Sequence, residues 1–198
     1  MNDVRLAAIR VPGSVEPWTG VGFAADGDAI SFDNGALSVG ADDCSLVIAG
    51  PALARSDLEG IVLDHGDLMP SGRHPNGAVE FDHVVVMTDS LERTSAAIEE
   101  VLGLEQRRVR DTGAVRQAFH RFGDVDVARG CIVEVVQRPD VERTAVWGVV
   151  VIVEDIDTAV AAADGLIAQP KEAVQAGRRI ATVSRAAGLP LAVALMTR

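Results

Sequence analysis

Short alternating runs of apolar residues, broken by glycine, asparagine and proline, fill the first third of the chain. Residues 6–11 (LAAIRV) stop at Pro12-Gly13, and Val21-Gly22-Phe23 stops before Asp26-Gly27. Ala29-Ile30-Ser31-Phe32 runs into Asp33-Asn34-Gly35, a strong hairpin signal, and the pattern resumes over residues 36–40. Residues 45–49 and 60–63 supply two more strands. Nothing before residue 75 keeps a helical period, so a β-rich segment is expected over 1–75.

The rest of the chain nearly repeats itself. Residues 81–87 (FDHVVVM) form a strand pattern, Thr88-Asp89-Ser90 opens a helix, and Leu91, Ile98, Val101 and Leu102 recur at helical spacing before Gly103. Sixty-five positions later, residues 146–152 (VWGVVVI) lead through Val153-Glu154-Asp155 to Ile156, Val160 and Ala163, with Gly165 as the stop. Three candidate strands follow each helix, at 104–110, 115–122 and 131–137, and again at 171–174, 178–184 and 190–196. The unit is βαβββ, used twice. The fold class is therefore α+β: a β-rich segment, then modules 81–137 and 146–198 within a domain 79–198. Turn residues 70–77 (PSGRHPNG) mark the expected boundary. The first segment is either a separate β piece or a degenerate further module.

With 198 residues, 48% of them apolar, the chain has the composition of an ordinary globular protein and needs no disulfide staples. Its net charge of −11 matters more. Residues 1–80 carry 12 acidic and 4 basic side chains, whereas residues 138–198 carry 7 of each. The acid excess excludes a nucleic-acid partner, which needs a basic stripe, and disfavours an anionic membrane surface. No run approaches the ~20 apolar residues of a membrane span, and no secretory pattern is visible. Cys44 and Cys131 lack metal-ligand spacing. A cytoplasmic protein is expected.

A paired βαβββ unit that opens with Phe81-Asp82-His83-Val84-Val85-Val86 and closes with Cys131-Ile132-Val133-Glu134-Val135-Val136 resembles the vicinal-oxygen-chelate superfamily. Glyoxalase I, extradiol dioxygenases and bleomycin-resistance proteins are members. The resemblance covers 81–137 well and 146–198 more loosely. It implies that the two modules curl into one cup, with a divalent metal (Fe, Mn, Ni or Zn) at its floor in many members, and that pairing into a homodimer is common.

Strand parity tests that resemblance on the residues themselves. His83, Val85 and Met87 share one face, as do Ile132, Glu134 and Val136. A carboxylate buried under a helix without a partner would cost several kcal/mol, so Glu134 and His83 belong in the cup. They are the candidate catalytic pair and the candidate metal ligands. In the second module Gly148 stands where His83 stands, and Ala194 where Glu134 stands. Two donors are fewer than the three or four of a catalytic metal site, so an absent metal is the favoured alternative. His65, His74, Glu80 and His120 are the remaining donors that could swing in. The expected cup lining is Val85, Met87, Phe119, Val136, Val150, Ile152 and Met196, fit for a small organic molecule.

Three functions stay open: an enzyme of isomerase, lyase or dioxygenase type, a binding or sequestering protein of the drug-resistance type, or a structural protein with a filled cup. Arg121, Arg178 and Arg179 either read an anionic group or lie on a solvated edge. Trp18 and Trp147 either stack on a guest or anchor a core. No nucleophile elbow is present.

Overall fold

The structure, a computed structural model, describes residues 3–69, 71–123 and 130–198. Pro70, the first residue of the expected boundary turn, lies outside them.

The first segment builds strands β1 (Arg5–Val11), β2 (Ala29–Phe32), β3 (Gly35–Val39), β4 (Ser45–Ala49), β5 (Asp57–Leu58) and β6 (Ile61–His65), ordered β2-β3-β1-β4-β6-β5 in one sheet. The expected strand at residues 21–23 does not form. A short helix α1 (Glu16–Gly20) precedes it instead, with proline in its first turn. Pro17 presets φ there, and the turn drives Trp18 fully into the core, edge-on to Phe23 at 5.8 Å.

The second part follows the repeat. One module comprises β7 (Ala78–Thr88), α2 (Leu91–Leu102), β8 (Arg108–Asp111), β9 (Arg116–Arg121) and β10 (Ile132–Gln137). The other comprises β11 (Ala145–Val153), α3 (Ile156–Ala162), β12 (Lys171–Glu172), β13 (Arg179–Thr182) and β14 (Ala192–Met196). Ser90 and Asp155 cap the two helices by accepting backbone N–H bonds, and Gly103 ends α2 in the left-handed region at φ 63°. The eight strands form one sheet, β12-β13-β14-β11-β7-β10-β9-β8. Its centre is the antiparallel pair β7–β11, flanked by β10 parallel to β7 and β14 parallel to β11. The first sheet has the same plan with one strand fewer on each side: β1–β4 antiparallel at the centre, β3 parallel to β1, β6 parallel to β4.

A continuous apolar core joins the inner faces of both sheets and the helices. Phe32 and Phe81 meet there with ring centroids 4.6 Å apart. The β2–β3 turn docks beside β7: the Phe81 N–H donates to Asn34 Oδ1 at 2.8 Å, and Asn34 Nδ2 donates to the Phe81 carbonyl at 2.9 Å. An asparagine side chain thus pairs with β7 below the point where β10 begins. Glu59, at the tip of the β5–β6 hairpin with φ 50°, accepts bonds from Arg93, Thr94 and Thr144. Among the described residues, no helix is long and apolar enough to cross a membrane.

Two buried histidines are spent on this framework. His74 Nδ1 accepts the Ala24 N–H and its Nε2 donates to the Ser31 carbonyl, both at 3.0 Å. His120 Nδ1 donates to the Leu104 carbonyl at 2.8 Å, and its Nε2 accepts from Ser95 Oγ at 3.1 Å. The His74 set is complete only for a neutral ring, because its Nδ1 must accept an N–H, and burial lowers both pKa values from 6.5. In the unfolded chain both rings take protons near pH 6.5, while the folded rings resist until lower pH. The unfolded state then binds more protons, so stability is full above about pH 6.5 and falls as pH drops below it. Urea unfolding at pH 7.0 and 5.0 checks this. The loss between the two should shrink in His120→Gln, and an unchanged loss would show that His120 does not contribute.

Candidate functional site

The site arises from a break in strand alternation. Along β7–β11, His83 pairs with Val150 but the next pair is Phe81 with Val151, leaving Asp82 as an extra residue. Such a bulge turns two consecutive side chains to one face. Phe81 and Val84 both point into the core, with 1% and 0% exposure, while Asp82 and His83 both face the cup. A matching bulge lies on β11, where Val146 pairs with Val86 and Gly148 with Val85, leaving Trp147 as the extra residue. The two bulges stand 65 positions apart. In the second module, Trp147 occupies the place of Asp82 and Gly148 that of His83.

The registers of β10 and β14 place the carboxylate. Glu134 lies beside Val85, and Ala194 lies in the equivalent position beside Val150. His83 Nε2 is 3.2 Å from Glu134 Oε2, and His83 Nδ1 is 2.7 Å from Asp82 Oδ2. Gln117 of β9 donates to the other oxygen of Glu134. Arg178, from the second module, reaches across to donate to Asp82 Oδ1 at 2.8 Å. The result is a chain of polar contacts, Arg178–Asp82–His83–Glu134–Gln117, whose central side chains are 11–13% exposed. Burial alone would raise the Asp82 carboxyl, but the bonds from His83 and Arg178 outweigh it and hold its pKa below 3.8. Both imidazole nitrogens face carboxylate oxygens, Nδ1 in a hydrogen bond to Asp82 and Nε2 in a 3.2 Å contact with Glu134.

Beside this chain lies a cavity of about 340 Å³. The first module lines it with His83, Val85, Met87, Gln117, Glu134 and Val136, followed by Arg138. The second contributes Trp147, Val150, Ile180, Thr182, Ala192 and Ala194. Three residues expected in the lining stand elsewhere. Phe119 is on the same face beside Glu134 but lies under the Arg108 guanidinium, 6.0 Å from its ring. Ile152 and Met196 pack with Val150 and Ala194 into a closed cluster under Ala173 and Ile180.

The other donors do not reach the cup. His65 bonds the Gly50 carbonyl, Glu80 pairs with Arg198, and His74 and His120 are held as described above. Arg179 forms a two-pronged pair with Asp157. Among the described residues, no three His, Cys, Asp or Glu side chains are grouped to hold a metal. Gly148 cannot be repaired into a ligand, since a Cβ there would lie 2.6 Å from the Ala192 carbonyl oxygen. A donor set of one imidazole and one carboxylate falls short of the three or four protein ligands of a resident catalytic metal, and so does not fit one. Cys131 is no nucleophile either, because burial pushes its thiol up to about 12.

No family model matches the chain, and no curated protein matches its sequence. Solved structures do match. A methylmalonyl-CoA epimerase superposes with a TM-score of 0.51 at 16% identity, over 61% of this chain and 95% of that one. The methylmalonyl-CoA epimerase from Mycobacterium tuberculosis gives 0.50 at 12% identity, over 65% and 92%. At such identities the likeness speaks for the fold alone. That fold, two βαβββ modules curled around a shared cup, is the vicinal-oxygen-chelate fold.

Proposed function

We propose that this protein takes up a small organic molecule in the cup between its two modules and holds the polar end of that molecule with His83 and Glu134. One observation carries the reading: an imidazole–carboxylate pair, 3.2 Å apart, stands in the wall of a 340 Å³ cavity whose remaining lining is largely hydrocarbon. Such a volume suits a small ligand, and a few convergent polar groups on an apolar wall give it orientation. Asp82 braces the imidazole and Gln117 braces the carboxylate, so neither must be ordered when a guest arrives. A cytoplasmic setting belongs to the same proposal, in keeping with the free thiols of Cys44 and Cys131.

A second reading, proton-transfer catalysis of isomerase or lyase type, is favoured by the Asp82–His83 contact. A carboxylate on Nδ1 fixes the tautomer of an imidazole that exchanges protons through Nε2. Dioxygenase chemistry would depend on a bound metal, and the two donors fall short of one.

Thermal-shift screening tests the main reading. The panel comprises phenols, carboxylic acids, amides and, given the names of the fold neighbours, short acyl thioesters. Hits should raise the unfolding temperature of the native protein and lose that effect in Ala194→Phe, which fills the cup with a ring. Glu134→Gln should weaken the best hit about tenfold, as expected for a lost charged hydrogen bond. Hits that survive both substitutions would place binding elsewhere.

A further inference from the structure

Trp147 stands out within its strand. It is 47% exposed, whereas every residue from Val149 to Val153 is buried. The β11 bulge sends Val146 and Val149 into the core and turns the indole to the cup, where it lines the cavity. A large aromatic left half open in a concave wall forgoes burial until a guest covers it. Space beside it is kept clear by very small residues. Gly148 has no room for a side chain, and Ala192 and Ala194 present methyl groups from β14. His83 pairs with Val150, three positions beyond Trp147, a distance of roughly 10 Å at strand rise.

We infer that the cup selects a planar aromatic or heteroaromatic guest carrying one hydroxyl group, its ring stacked on Trp147 and its hydroxyl bonded at His83 and Glu134. The inference rests on the cup being the binding site and adds the class of guest. Aromatic faces attract each other beyond the area they bury, which a saturated ring of the same size does not match. A hydroxyl both donates and accepts, so it can join the His83–Glu134 contact without leaving either partner unsatisfied. The Arg138 guanidinium in the lining works against a cationic guest. The two bulges thus divide the labour: in one module the extra residue, Asp82, orients the polar pair, and in the other it supplies a stacking surface.

The test compares 2-naphthol with its saturated counterpart, trans-decahydro-2-naphthol, by calorimetry. A second readout is fluorine NMR of protein containing 5-fluorotryptophan. The chain has two tryptophans, and Trp18 is fully buried, so two resonances report two distinct environments. The aromatic probe should bind about three- to tenfold tighter than the saturated one, and the Trp147 resonance should shift on titration while that of Trp18 stays. Trp147→Phe should keep the affinity within about threefold, and Trp147→Ala should bring the two probes level. Equal affinities in the native protein, an unmoved Trp147 resonance, or no saturable heat from 2-naphthol would each overturn the inference. Binding undiminished in Ala194→Phe would instead overturn the cup as the site, a separate failure.

Discussion

Replacing Phe81 with alanine is expected to cost about 3–5 kcal/mol, the range for deleting a buried ring from a packed core. Phe81 is 1% exposed, its ring touches Phe32, and its backbone N–H and carbonyl are both bonded by Asn34. It therefore belongs to both sheets at once. Of a usual stability of roughly 5–15 kcal/mol, such a loss is a large fraction. For a chain of this length it corresponds to a fall in unfolding temperature of roughly 10 °C. Phe81→Leu, which keeps most of the volume, should cost less than about 1.5 kcal/mol. Urea unfolding followed by circular dichroism measures both. A cost below 1 kcal/mol for Phe81→Ala would mean that the first segment does not lean on β7.

The neighbouring substitution, Asp82→Ala, should act on the site more than on the core. It removes the acceptor of the His83 Nδ1–H and the partner of Arg178. The Arg178 side chain, 32% exposed, can turn to water, but the imidazole is 13% exposed and loses its anchor. An unsatisfied buried donor costs about 1–3 kcal/mol. Asp82 does not line the cavity, so its effect on binding must pass through His83. A guest that hydrogen-bonds His83 should bind at least tenfold more weakly, while a purely apolar guest of the same size should bind unchanged. Nitrogen chemical shifts of the His83 ring should move toward a mixture of tautomers. Equal losses for both guests, with the ring shifts unmoved, would reduce Asp82 to a structural role.

Much of this architecture is legible in the residues. The 65-position echo between residues 81–103 and 146–165 reappears as the two bulged strands and their helices. The expectation that Gly148 and Ala194 answer His83 and Glu134 holds in the strand registers. Strand alternation put His83 and Glu134 on one face, where they meet. Strict alternation would put Asp82 on the opposite face, and the bulge turns it to the same one. Val84, Val85 and Val86 are apolar in both phases, so the pattern carried no sign that alternation slips at residue 82. A bulge depends on the partner strand, and hydrophobic period within one strand does not encode it. Phe119 shares the face of Glu134, but its position along the sheet puts it under Arg108 instead of in the cavity.

Local sequence determined most of the strands, the two capped helices, the tandem module and the placing of both His83 and Glu134 in the first copy. These follow from period, turn residues and side-chain type, which act over a few positions. Tertiary structure decided the rest. It brought Arg178 to Asp82 across 96 positions, docked Asn34 against β7, closed Ile152 and Met196 beneath Ile180 while leaving Trp147 open, and set the depth of the cup. Each of those depends on which surfaces meet when distant segments pack, and contact between distant segments leaves no periodic trace in either one.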